Sequence, residues 1–155
     1  MRRDIPDLLR SHDFTHGLDD DQLAFIAGCA RNFRFDQGDY LFREGDAADR
    51  FYLIRHGRVA LEMNIRGRGQ VTVRTLQDDD ILGVSWLVPP HRSTFSARAL
   101  TLTRAIGFDA VCLRGKCDAD HDLGYALMMN FMPELLGRLR SARLQLADVY
   151  GAPNG

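Results

Sequence analysis

From Phe33 onward the apolar residues fall in short runs with a predominant period of two, and glycines at 38, 45, 57, 67, 69 and 83 cut the pattern into short pieces. That period belongs to strands with one face in a core, and the glycines mark the turns between them. Phe33 and Phe35 alternate with Asn32 and Arg34, and Tyr40 to Phe42 is a short strand ending in Glu44, Gly45 and Asp46. Phe51 to Ile54 forms another strand; Val59, Leu61 and Met63 alternate with Ala60, Glu62 and Asn64 in the clearest one. Arg66, Gly67, Arg68 and Gly69 make a hairpin turn into Val71, Thr72 and Val73, and Phe95 to Phe108 supplies two more strands. Many short strands joined by glycine turns build a sandwich or a barrel.

Helical signals flank this region. Asp19 is placed to cap a helix from about Asp20 to Cys29, with Gln22 three residues on and Leu18 and Leu23 as a hydrophobic staple. Asp78, Asp79 and Asp80 read as a solvated turn and a helix cap, and Asp109 caps a turn holding Val111, Cys112 and Leu113. In the last segment Met128, Met132, Leu135, Leu139, Ala142, Leu146 and Val149 alternate steps of four and three, a heptad seam over about three heptads. Leu136, Leu144 and Tyr150 give a second apolar strip able to pack on the barrel. The seam is therefore free for a second copy, and a parallel homodimer is the favoured arrangement. Pro133 should bend the helix near Met129 unless the helix starts there.

Charge excludes one function class. With 20 Lys+Arg against 21 Asp+Glu the chain carries a formal charge of -1, which gives nucleic acid no general attraction. No apolar run approaches the roughly 18 residues of a membrane span, and the charged opening from Met1 to Asp7 is unlike a signal peptide, so a cytoplasmic protein is expected. The three cysteines, Cys29, Cys112 and Cys117, are an odd number and too few for a disulfide scaffold, which predicts reduced thiols. Their spacing completes no zinc site, and no cofactor or metal is expected. No nucleophile–base pair or carboxylate pair stands at a readable spacing, and Ser85 or Ser93 near His91 is only a loop neighbourhood, so an enzyme is not expected.

Ile81 to Leu100, ILGVSWLVPPHRSTFSARAL, joins a glycine, a short helix-like turn, a double proline and an Arg-Ser step. Backbone N–H groups at a turn start together with a guanidinium are the parts of an anion site.

The segment Gly38 to Asp46, GDYLFREGD, and the strand–glycine–strand segment Phe51 to Leu61, FYLIRHGRVAL, occur in the order and spacing of a known family. From about Leu18 to Tyr150 the chain resembles the cyclic-nucleotide-binding domain of the catabolite-activator and Fnr-like class. The resemblance implies a mainly β fold: an eight-stranded jelly-roll barrel with N-terminal helices and a long C-terminal dimerisation helix. It divides a single domain, 1–155, into a helical segment 1–30, a barrel 31–108 with a phosphate cassette at 81–94, and helices 109–150. The family cassette reads Gly-Glu-Leu-(Ala/Gly)-Leu, a variable stretch, then Arg-(Ser/Thr)-Ala; the glycine and following amides hold the phosphate, the glutamate takes the ribose hydroxyl, and the arginine pairs with phosphate.

Carried onto this chain, the resemblance implies a ligand site at Gly83, Val84, Ser85, Arg92 and Ser93, with Trp86 altering the pocket. Val84 stands in the glutamate position and cannot accept a hydrogen bond, at a cost of about 1–3 kcal/mol to a ribose hydroxyl left unpaired. Trp86 replaces a small residue, and counting back from Ala97 and Ala99 puts the arginine position on Ser93, one residue from Arg92. The family's DNA-reading module does not fit before Gly155, so DNA binding by this chain alone is not expected. His56 and His91 read as turn histidines rather than haem ligands, and three scattered cysteines do not ligate an iron–sulfur cluster. The expected function is a non-catalytic sensor of a cyclic nucleotide or similar small anion that signals through a dimer helix to a protein partner. The competing expectation is a constitutive dimeric scaffold whose pocket Val84 and Trp86 have plugged.

Overall fold

The computed structural model describes residues 5–10 and 12–150, of which 148–150 are described by backbone alone. Two short helices, α1 (Ile5–Arg10) and α2 (Asp20–Ala27), precede eight strands: β1 (Ala30–Phe35), β2 (Tyr40–Phe42), β3 (Arg50–His56), β4 (Val59–Ile65), β5 (Gly69–Leu76), β6 (Ile81–Leu82), β7 (Ser96–Ala99) and β8 (Thr103–Asp109). Helices α3 (Ala110–Ala119) and α4 (His121–Tyr150) follow. The strands form two antiparallel sheets, ordered β1-β8-β3-β6 and β2-β7-β4-β5. This is the jelly-roll barrel with flanking helices.

Alternation along single strands builds two cores. On β3, Tyr52 and Ile54 face the barrel interior with Leu41, Leu61, Leu76, Leu82 and Ala97. Phe51 and Leu53 face the other way, into a cluster capped by the helices that holds Phe14, Phe108, Leu123, Leu127 and Phe131. Both faces of β3 are therefore buried, as the central strand between a second sheet and a helical layer must be.

Local signals work as expected at α2, where the Asp19 carboxylate accepts from Gln22 N at 2.8 Å and the Gln22 amide oxygen accepts from Asp19 N at 3.0 Å. Asp109 likewise accepts from Cys112 N at the start of α3. The acidic run is a turn but caps no helix: Asp80 accepts from Gln77 N, Asp78 from Gly57 N, and strand β6 follows. A short 3-10 turn at Asp13–Thr15, unread in the sequence, carries Phe14 into the helical core.

Two expectations about the helical end are corrected, those for the cysteines and for the strip that packs on the barrel. Cys29 and Cys112 form a disulfide, not a pair of thiols, and only Cys117 is free. The fold brings them together because Asp109 N donates to Cys29 O at 2.8 Å, fixing the start of α3 beside the start of β1. Pro133 lies inside α4, which begins at His121, well before Met129. The strip that packs α4 on the barrel is Leu123, Leu127 and Phe131, all nearly inaccessible, continued by Glu134 and Arg138. Leu136 and Leu144 are exposed, so they do not serve that role, and the Tyr150 side chain lies outside the described residues. Met128, Met132, Leu139 and Leu146 are also exposed, Leu135 is half-buried and Ala142 exposed; the Val149 side chain lies outside the described residues.

Candidate functional site

The cassette begins where β6, paired to β3 through Leu82↔Tyr52 and Ile81↔Leu53, ends at Gly83. Gly83 has φ 95°, in the left-handed region that side chains disfavour, while a Cβ there would find Phe51 no nearer than 3.5 Å. The glycine requirement is thus conformational, not one of space. Gly83 turns the chain into a single 3-10 turn, Ser85–Leu87, which Val84 leads into without any side-chain cap.

The return segment is fixed by main-chain bonds to the loop after β2. His91 O accepts from Ala48 N at 2.7 Å, Ser93 N donates to Asp46 O at 2.8 Å, and Ser93 O accepts from Gly45 N at 2.8 Å. Arg92 and Ala47 form an isolated antiparallel bridge. Successive side chains of an extended segment point to opposite sides, so Arg92 and Ser93 are separated: Ser93 is buried, and exposed Arg92 donates through Nη1 to Gly45 O at 3.0 Å.

Gly83, Val84, Ser85, Trp86 and Ser93 line one cavity of about 20 Å3, with Phe42, Leu61 and Phe95 on its apolar side. Arg92 is not among the lining residues. A cavity of that volume has room for about one water. Trp86 is 2% exposed, and its ring stacks on Phe51 at 4.8 Å and meets Phe131 edge-on at 5.6 Å. The indole is therefore committed to the helix-side aromatic core while it borders the cavity, and its Nε1 has no hydrogen-bond partner among the described residues.

Several residues at this site carry no local sequence signal. Arg138 of α4 lines the cavity; its Nη2 donates to Ile81 O at 3.0 Å and its Nε to Glu134 Oε1 at 3.1 Å. Arg114 of α3 donates to Trp86 O at 2.8 Å. Two arginines of the exit helices thus hold the main-chain carbonyls on either side of Gly83, Val84 and Ser85. Glu134 also lies 3.8 Å from Arg74 of β5. Only the assembled fold joins positions 74, 81, 134 and 138. On the neighbouring sheet, buried Glu62 accepts two bonds from Arg98, at 3.2 and 3.1 Å, and these bonds, then the carboxylate's charge, raise the guanidinium pKa.

The remaining candidate groups lie elsewhere. His56 is exposed beside Asp78, and His91 is half-buried with φ 54°. The Cys117 thiol is pushed above its ordinary pKa by burial and, less strongly, by Asp118 and Asp120. Among the described residues no group of three His, Cys, Asp or Glu side chains is placed to hold a metal ion, and no helix is long and apolar enough to cross a membrane.

Comparison with known proteins places this geometry. The cyclic nucleotide-binding domain family matches residues 32–120, from β1 through α3. A solved structure from Geobacter metallireducens, described as a cyclic nucleotide-binding protein, superposes with a TM-score of 0.79 at 33% identity, covering 86% of this chain and 97% of that one. Human cGMP-dependent protein kinase 2 is 31% identical over 81 residues, 52% of this chain and 11% of the kinase, so the chain spans about a tenth of that relative's length. The CRP-like cAMP-activated global transcriptional regulator of Mycobacterium tuberculosis is 23% identical over 166 residues, 97% of this chain and 74% of the regulator. With the family's match covering more than half of the chain and its barrel in place, the chain belongs to the cyclic nucleotide-binding domain family.

Proposed function

We propose that the chain is a non-catalytic, cytoplasmic regulatory module that takes a cyclic nucleotide or a related small anion at Gly83, Val84, Ser85 and Ser93. Occupancy passes through α4, which pairs with a second copy along Met128, Met132, Leu135, Leu139, Ala142, Leu146 and Val149, to a protein partner; the chain does not bind DNA alone. The observation that supports this reading is the attachment of the cassette to the exit helices, through Arg138 on Ile81 O and Arg114 on Trp86 O. The cavity of about 20 Å3 is far below the roughly 300 Å3 of a ligand pocket, so a nucleotide enters only if the cassette opens. Opening moves both carbonyls and therefore biases α3 and α4, which is what a sensor needs. The opening free energy also lowers the apparent affinity.

Calorimetric titration of the purified chain with cyclic AMP and cyclic GMP tests this. Saturable binding of either is the expected outcome, and silence at millimolar nucleotide rejects it. The small volume of the cavity and the valine at position 84 favour one second reading, a constitutive dimeric scaffold descended from a sensor. On that reading wild-type protein is silent and Val84→Glu, by supplying the missing acceptor, creates binding.

A further inference from the structure

The cassette needs a cation for an anionic ligand, and Arg92 is held outside by its bridge to Ala47 and its bond to Gly45 O. Bringing it inward would expel Ser93 from the cavity wall. Two other arginines line the cavity, Arg50 and Arg138. The Arg50 guanidinium lies 4.6 Å from the centre of the Phe33 ring and is engaged there. Arg138 is only 16% exposed, and the bonds it makes use two of its five N–H donors.

Its surroundings carry surplus positive charge. Glu134 faces Arg138 at 3.1 Å and Arg74 at 3.8 Å, so one carboxylate serves two partly buried guanidiniums. Arg74 Nη1 is itself buried without a hydrogen-bond acceptor among the described residues. A low-dielectric site with one uncompensated cation and free donors favours an anion. We infer that Arg138, delivered from α4, is the residue that meets the charge of the ligand, and that it does so by leaving Glu134, which then turns to Arg74. The inference rests on the proposed sensing function and gives it a mechanism: the group that grips the ligand is part of the helix that reports it, so binding and helix displacement are one event.

Three variants, Arg138→Gln, Arg138→Lys and Glu134→Gln, decide the matter by calorimetry and by fluorescence of Trp86, the one tryptophan and a wall of the same cavity. The probes are cyclic AMP, cyclic GMP and inorganic phosphate. Arg138→Gln weakens whichever probe binds by at least about tenfold and Arg138→Lys by less, because charge is kept and the fork is lost. Glu134→Gln tightens it severalfold by freeing Arg138, an effect that damage to the fold would not produce. Unchanged affinity in Arg138→Gln, or weaker binding in Glu134→Gln, overturns the inference and leaves the sensing function standing. So does loss of binding in Arg92→Gln with none in Arg138→Gln. A wild-type protein silent to all three probes overturns both.

Discussion

Gly57, between β3 and β4, has φ 125°, and a Cβ added there would lie 2.5 Å from Thr103 Oγ1 and 2.8 Å from Thr103 Cα. Both the conformation and the contact with main chain forbid a side chain, since β8 cannot yield without breaking its pairing to β1 and β3. Gly67 shares the positive φ, at 86°, but has nothing within 4 Å. Gly57→Ala is therefore expected to cost about 2–4 kcal/mol and Gly67→Ala about 1 kcal/mol, a difference that denaturant unfolding of the two variants resolves. The same distinction applies at the cassette, where Gly83 is needed for its backbone angle while its surroundings have room. The site's polar residues differ in another way: Ser93 is in the wall because main-chain bonds to residues 45–48 fix which neighbour faces inward.

At the scale of elements, the disulfide between Cys29 and Cys112 ties the start of β1 to α3 across 83 positions. Purified protein unfolded without reductant should show one reactive thiol, that of Cys117, and three after reduction. Reduction, or Cys29→Ser, should lower stability by about 2–4 kcal/mol, read as a shift of the thermal midpoint. The bond also marks the limit of what the sequence discloses. The capping box of α2, the Asp109 cap and the 66–69 turn were legible because each joins residues at most three or four apart. Gly83 and the short turn after it were legible through their likeness to a family. The disulfide, the Arg138 contact with Ile81 and the Leu123, Leu127 and Phe131 strip were not, because each depends on where distant segments meet. The apolar content of α4 allows several strips, and the short 3-10 turn bearing Phe14 selects among them: Asn130 donates to Phe14 O and His16 O, and Phe14 meets Phe131 edge-on at 5.4 Å.

For the whole molecule, the exposed side of α4 has no internal partner among the described residues. Met128 is 58% exposed, Leu139 49% and Leu146 56%, while the face bearing Leu123, Leu127 and Phe131 is spent on the barrel. The pairing proposed above predicts that the wild-type chain sediments as a dimer. Leu139→Asp, which leaves the barrel contacts untouched, should sediment as a monomer with its barrel still folded by circular dichroism. Sedimentation of the wild-type chain as a monomer at all concentrations would rule out that pairing.

The Cys29–Cys112 bond has a mechanical consequence as well. It closes the entire barrel into a covalent ring, with α1 and α2 leaving on one side of the bond and α4 on the other. Tension applied between the N-terminal helices and α4 runs through a sulfur–sulfur link and bypasses every strand. Roughly 280 Å of contour, at about 3.4 Å per residue, stays out of the load path until that link is reduced. The sheets are thereby insulated from load carried by the terminal helices.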